Sequence, residues 1–452
     1  MEKFDLAIIG AGPGGYEAAD FAARHGLKTV LIEKSNLGGT CLNSGCIPTK
    51  TLLHTADLYH EVKTQAEKIG LSYDEFSFDM TKMQERKEDV LNTLREGIAK
   101  LMKMRKITVL KGTAAIIGKH EISVASETET QVIEADKILI TTGSVPAVPP
   151  IEGAQLAVTS DELLNSDKAY DELIIIGGGV IGIEFASLYT ALGKKVTIIE
   201  ALDRILANMD KEFAQSLKML LTKQGAQIHV KSMVTKIEQQ DGRYICHYTE
   251  KDKEYTVQAD CVLMAVGRRP YSAGLFGEGF MVETDRGKIK VNEFYQTSMN
   301  NIYAAGDVIG GIQLAHTATA EAINAVCHML GRQPAYDTAL IPSCVYTSPE
   351  IASVGMTADE AKKLGKKVIT LKYAMGANGK TVLSLQERSF IKVIAEPETE
   401  KILGAQLMCA RATDMISQFT QAIANNLTLK DMGKVIYPHP TFSEAIGKTV
   451  EQ

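Results

Sequence analysis

Cys41 and Cys46 stand in the segment GGTCLNSGCIPTK, residues 38–50, with four residues between them. Cysteines about one turn apart on an irregular helical segment can approach disulfide geometry. Gly38, Gly39 and Thr40 precede the pair and Pro48 follows it, so the spacing predicts a distorted helix beginning near Cys41. A helix N-terminus stabilises a thiolate, and Lys50, four residues past Cys46, adds a positive charge on the same face. Two inert buried thiols would need neither the glycines nor the lysine. The pattern points to a reversible dithiol that gives and takes two electrons.

Thiol chemistry needs a base, and His439 is a candidate. It stands in YPHPTFSE between Pro438 and Pro440, with Glu444 near enough in sequence to orient its imidazole. A histidine held by a carboxylate can take a thiol proton. A histidine that merely caps a proline-rich turn reads the same way from this segment alone. The other eight histidines show no metal-ligand spacing, and no CxxC occurs among the seven cysteines. Cys246, Cys261, Cys327, Cys344 and Cys409 are expected to be small buried apolar residues.

A dithiol also needs an electron acceptor, and an internal repeat suggests one. FDLAIIGAGPGGYEAADFAARHGLKTVLIEK and DELIIIGGGVIGIEFASLYTALGKKVTIIEA share an apolar β-rich run, G-x-G-x-x-G, a helical stretch, a second β-rich run and a terminal acid. Gly10 and Glu33 are separated by the same 23 positions as Gly177 and Glu200. A lone glycine fingerprint is weak, but strand, turn and helix in register twice are specific for dinucleotide binding. Gly10 and Gly177 allow the tight turn, Gly12 and Gly179 admit the pyrophosphate, and Gly15 and Gly182 pack helix on strand. Glu33 and Glu200 can bind ribose hydroxyls. A carboxylate at 200 repels a 2′-phosphate, so NAD is favoured over NADP there. Arg204 is expected to pair with a nearby acid rather than offset this. A flavin is the usual mediator between thiols and a nicotinamide, so the first fold is expected to hold FAD and the second NAD.

These units imply an α/β chain with two Rossmann-like domains. Each repeat closes on a strand running into Gly-x-x-Pro, at Gly143–Pro146 and Gly267–Pro270. The first copy is about 43 residues longer, and the cysteine segment falls in that excess. The prolines of AVPPIEG mark a boundary near residue 150. From about Ala335 strands alternate with polar turns, which reads as a C-terminal α+β domain. A net charge of −6 and the absence of a Lys/Arg cluster argue against nucleic acid or a membrane surface as partner. The longest apolar run, LIIIGGGVIGIEFASLYTAL, is broken by glycines and Glu184 and reads as a buried strand and helix rather than a span. The strand pattern starts at the N-terminus, so no leader and a cytoplasmic location are expected.

Taken together, GGTCLNSGCIPTK, GGGVIGIE, AAGDVIGGIQLAH, YTSPEIASVG and HPTFSE resemble, in order and along the whole chain, the pyridine nucleotide-disulfide oxidoreductases with a CxxxxC redox centre. The likeness is greatest to the branch that oxidises dihydrolipoamide, with Ser44 where valine is common. The resemblance implies a glutathione reductase-like FAD/NAD(P) fold: an FAD domain at 1–149, an NAD domain at 150–268, a central domain at 269–335 and an interface domain at 336–452. It implies a homodimer whose active sites are shared. Cys41 would meet the substrate, and Cys46 the flavin. Lys50 would pair with Glu184 near the flavin. Gly306 and Asp307 would hold the ribitol chain, Leu314, Ala315 and His316 would line the flavin, and Gly112 the adenosine. Lys34, Thr40, Lys50, Gly143 and Ser144 are assigned to the FAD site, and Glu184 and Gly267 to the NAD site. His439 and Glu444 would reach the partner subunit's thiols. The partner would be a lipoyl-bearing carrier of a 2-oxoacid dehydrogenase or glycine cleavage complex. Reduction of another small disulfide, glutathione- or mycothiol-like, by NAD(P)H is the alternative.

Overall fold

The computed structural model describes residues 2–386 and 389–452. Strand β1 (Lys3–Ile9) carries an apolar run that is almost wholly buried, as a strand covered on both faces must be. A turn through Gly10 leads to helix α1 (Pro13–Arg24), where Pro13 opens the helix at a position whose amide needs no partner. Strand β2 (Thr29–Glu33) returns parallel to β1, with Ile8 beside Leu31. Two helices then interrupt the sheet: α2 (Gly39–Ser44), and α3 (Cys46–Gln65) after a break at Gly45. Helix α4 (Met80–Met104) follows. Strands β3 (Thr108–Lys111), β4 (Thr113–Ile116), β5 (Glu121–Ala125) and β6 (Thr130–Ile140) complete a sheet of order β3-β2-β1-β6-β5-β4. The late strand Ile302–Ala304 adds to β6 in parallel.

The second repeat builds the same unit. Strand Glu172–Ile176, helix Val180–Ala191 and strand Lys195–Glu200 lie in a five-stranded sheet whose pairings are all parallel. The long apolar run is therefore a strand and helix, as expected, and among the described residues no helix is long and apolar enough to cross a membrane. The two glycine turns match closely: Gly12 has φ −70° and ψ −176°, and Gly179 has φ −74° and ψ −176°. At the turn entry, Gly10 and Gly177 have φ of +103° and +109°, in the left-handed region that favours glycine. A Cβ on Gly15 would stand 1.9 Å from the Gly10 carbonyl oxygen, and one on Gly182 2.1 Å from that of Gly177. The third glycine thus seats the helix on the turn in both copies.

Five strands of the C-terminal region form an antiparallel sheet in the order Ser343–Val345, Glu350–Gly355, Ile402–Cys409, Phe390–Ala395, Ile369–Ala374. Helix Ala412–Ala424 packs on it through Met415, Ile416 and Phe419. This sheet is tied to the second repeat by Phe390 stacked on Phe213 at 4.5 Å, and by buried Lys392, whose Nζ lies 2.9 Å from an Asp210 carboxylate oxygen. Helix Ala315–Met329 crosses α1 so closely that a Cβ on Gly14 would meet the Ala318 carbonyl oxygen at 2.9 Å.

Candidate active site

A cavity of about 1940 Å³ runs between the two glycine turns and the C-terminal sheet. Typical small-molecule pockets are about 300–1,000 Å³, so this one has room for more than one extended ligand. Its wall includes Gly10, Gly12, Glu33, Lys34, Thr40, Cys41, Cys46, Lys50 and Gly112. It continues along Gly143, Ser144, Gly306, Asp307, Leu314, Ala315 and His316, and at the second turn along Gly177, Gly179, Glu184, Glu200 and Gly267. Gly15 and Gly182 stand behind the wall, in keeping with their packing role. His439 and Glu444 are outside that lining.

The cysteine segment differs from a single distorted helix. Gly45 ends one short helix and caps the next, so Cys46 is the first residue of α3. A sulfur there faces unpaired helical amides, which favour negative charge. Both cysteines are free thiols, half-buried. Donation from the Cys41 thiol holds Cys46 down at about 7, the Lys50 charge lowers it further, and burial and Glu184 oppose the effect. By the same bond, together with burial, Cys41 keeps its proton well above the usual thiol range.

Lys50 meets Glu184 as expected, its Nζ lying 2.8 and 2.7 Å from the two carboxylate oxygens. Glu184 is only 4% exposed, and a third contact comes from the Tyr346 amide at 3.2 Å. The redox loop is fastened by Asn43. Its Nδ2 donates to the carbonyls of Gly39 (2.8 Å) and Leu37 (3.1 Å), and its Oδ1 accepts from Arg95 of α4 (2.7 Å). The loop also touches the first glycine turn: the Gly38 amide donates to Ala11, and a Cβ on Gly39 would stand 2.5 Å from the Gly12 Cα.

The repeat extends to its carboxylates. Glu33 accepts from the amides of Ala11 and Ser35, both at 2.8 Å. Glu200 accepts from those of Gly178 at 2.5 Å and Leu202 at 2.6 Å, the equivalent positions. Each acid is therefore locked beside its turn, at the cavity wall. Asp307 accepts from the Ser144 hydroxyl at 2.5 Å, and Arg268 donates to the same hydroxyl at 2.8 Å. The Gly306 amide donates to Glu321, which burial pushes up to about 7. Lys34 lies over the Tyr271 ring at 4.0 Å, Gly112 donates to the Glu33 carbonyl, and His316 bonds the Pro342 carbonyl.

At the far end, His439 Nδ1 lies 2.8 Å from Glu444 Oε1, and the Thr441 amide donates to the other oxygen at 2.8 Å. That amide, then His439, holds Glu444 below the usual carboxylate range. The imidazole is 78% exposed, and Ile436 nearby is 94% exposed. Arg204 turns to the Ala207 carbonyl and to Asp203, as expected of a paired surface arginine. Cys246, Cys261, Cys327 and Cys409 are buried, but Cys344 is a correction: it is half-buried and lines the cavity, because its short strand forms part of the wall. Sequence reasoning passed over Asn43, Arg268, Glu321 and Tyr346. Arg268 directly follows Gly267, Asn43 lies inside the cysteine motif and Tyr346 opens YTSPEIASVG, so these were within reach, whereas Glu321 carries no local signal.

The residues fit two dinucleotides: two matched turns with open second glycines, and a locked acid beside each. Comparison with known proteins agrees. Residues 4–322 match the family described as pyridine nucleotide-disulphide oxidoreductase, and residues 341–450 match its dimerisation domain. A dihydrolipoyl dehydrogenase of Bacillus subtilis (strain 168) is 40% identical over 99% of this chain and 97% of that protein. A mitochondrial dihydrolipoyl dehydrogenase of Pisum sativum is 37% identical over 98% and 90%. Among solved structures, a Cu(II) complex of the HOCl-induced flavoprotein disulfide reductase RclA from Escherichia coli is 30% identical, with a TM-score of 0.89 over 100% of this chain and 99% of that one.

Proposed function

The chain belongs to the pyridine nucleotide-disulphide oxidoreductase family, and on that premise we propose that it is a dihydrolipoyl dehydrogenase. It oxidises dihydrolipoamide on a carrier protein and reduces NAD. The observation that carries this reading is Cys46 at the start of α3, with the Lys50–Glu184 pair, in the same cavity as both glycine turns. Relatives named dihydrolipoyl dehydrogenase at 37–40% identity supply the substrate.

The protein's residues divide the work as follows. Glu444 orients His439, and His439 takes a proton from one substrate thiol. The resulting thiolate attacks Cys41 of the Cys41–Cys46 disulfide. The S–S bond breaks, and Cys46 leaves as a thiolate that the helix start and Lys50 stabilise. The second substrate thiol attacks the substrate sulfur of the mixed disulfide, closes lipoamide and releases Cys41; its proton passes to the departing Cys41 sulfur, while the first stays on His439. Two electrons now reside on the dithiol. Gly12, Glu33 and Asp307 would hold FAD, and Gly179 and Glu200 would hold NAD; bound there, the two would supply the redox chemistry that takes these electrons on to the nicotinamide. Glu200 excludes a 2′-phosphate from the second fold.

His439 lies outside the cavity of its own subunit, so the reading places it at the partner's cysteines in a homodimer. The division of the chain at 149, 268 and 335 belongs to the same proposal, as do the site roles and a cytoplasmic location, which the seven free thiols suit. A turnover screen tests it: NADH or NADPH against lipoamide or glutathione disulfide. Preference for NADH with lipoamide is expected, and equal or reversed preference for glutathione disulfide would refute it.

A further inference from the structure

Tyr346 immediately follows the strand Ser343–Val345, 162 positions after Glu184 in sequence, yet it touches both members of the Lys50–Glu184 pair. Its amide donates to Glu184 Oε1 at 3.2 Å. Its ring face lies under the Lys50 ammonium, 4.6 Å from the centroid. No hydrogen bond of its hydroxyl is found among the described residues. Lysine has four flexible carbons, and a bidentate carboxylate alone leaves the ammonium free to swing about it. A ring face on a second side removes that freedom, since a partly desolvated cation is attracted to the ring quadrupole.

We propose that Tyr346 is a positioning residue: its ring and amide hold the Lys50–Glu184 pair so that the ammonium stays within reach of Cys46. The C-terminal sheet thereby sets the electrostatics of a thiol on α3. The groups that act on Cys46 are Cys41, Lys50 and Glu184 from the two dinucleotide folds, so Tyr346 acts on it through Lys50 and Glu184. Burial keeps the Tyr346 phenol neutral to about 12, so the ring contributes as an aromatic face and not as a charge. Cys344, also near Lys50, is held neutral by burial to about 11. The inference rests on the reading of Cys46 as the thiol that Lys50 serves.

The test is an ultraviolet thiolate titration of the reduced, flavin-loaded protein, with Cys46→Ser as the blank. The wild-type midpoint is expected near 7. Tyr346→Leu should raise it by about half to one pH unit, and Tyr346→Phe should restore it. Tyr346→Met, which fills space without a π face, replaces the leucine variant if that one loses its flavin. On a Lys50→Met background the leucine change should add nothing, because the ring then has no ammonium to hold. A wild-type midpoint near 9 would overturn both the reading of Cys46 and the role of Tyr346. A midpoint near 7 that stays put in Tyr346→Leu, or a shift that persists without Lys50, would overturn the role of Tyr346 alone.

Discussion

The imidazole of His439 is positioned by one short contact to Glu444, and Glu444 is itself fixed by the Thr441 amide. That amide is the larger cause of Glu444's lowered value, so the carboxylate remains ionised as pH falls through the usual carboxylate range. Its hold on the histidine should therefore persist into that range. Loss of dihydrolipoamide oxidation on acidification should instead follow protonation of Cys46, which gives up its charge below about 7. His439→Gln should lower kcat for dihydrolipoamide by about 10²–10⁴-fold, the usual contribution of a positioned base. NADH oxidation by an artificial dye, which needs no thiol proton, should stay at the wild-type rate in the same preparation. A parallel fall in both activities would mean that the tail holds the fold together and does not serve the thiols.

At the scale of elements, the glycine turns separate two kinds of sensitivity. A Cβ on Gly179 meets nothing within 4 Å, whereas one on Gly182 would lie 2.1 Å from a carbonyl oxygen. Gly179→Ala should leave thermal unfolding within about 0.5 kcal/mol of wild type, while the KM for NAD rises several-fold as a methyl enters the space for the pyrophosphate. Gly182→Ala should destabilise the second fold, seen as a lowered first unfolding transition. Much of this was legible in advance. The repeat, the 23-residue spacing and the pair His439–Glu444 rest on local motifs whose demands are written in residue type, whereas the pair Lys50–Glu184, 134 positions apart, came from the family resemblance. The break at Gly45 was not read, because a glycine between two helix-compatible stretches also occurs within a bent helix; only its φ of −146° and ψ of −107° separate the two. Cys344 was hidden for a different reason, and so was what Tyr346 touches from the head of YTSPEIASVG. Both reach the cavity through the pairing of a distant antiparallel sheet, which no periodicity in their own segment reports.

For the whole molecule, two attachments decide how the parts act together. Lys392 is 6% exposed and Asp210 4%, and they join the C-terminal sheet to the helix Lys211–Lys223. Lys392→Met leaves a buried carboxylate without its cation, at a cost of about 3–5 kcal/mol. A lower denaturant midpoint in the flavin-loaded protein would register it. The second attachment is between subunits. If His439 serves the partner's thiols, mixing inactive Cys46→Ser with inactive His439→Gln and letting subunits exchange should recover about a quarter of the wild-type activity. Random pairing makes half the dimers mixed, and each mixed dimer has one complete site. Recovery near zero would place base and thiols in one chain.

The contact between Gly12 and Gly39 sets a limit on how such a protein can be altered. The nucleotide turn and the loop ahead of Cys41 meet main chain to main chain, joined by the Gly38–Ala11 hydrogen bond, with no side chain between to yield. A shift in one passes undamped to the other. An engineer reshaping the first cradle for a bulkier prosthetic molecule would retune sulfur reactivity in the same stroke.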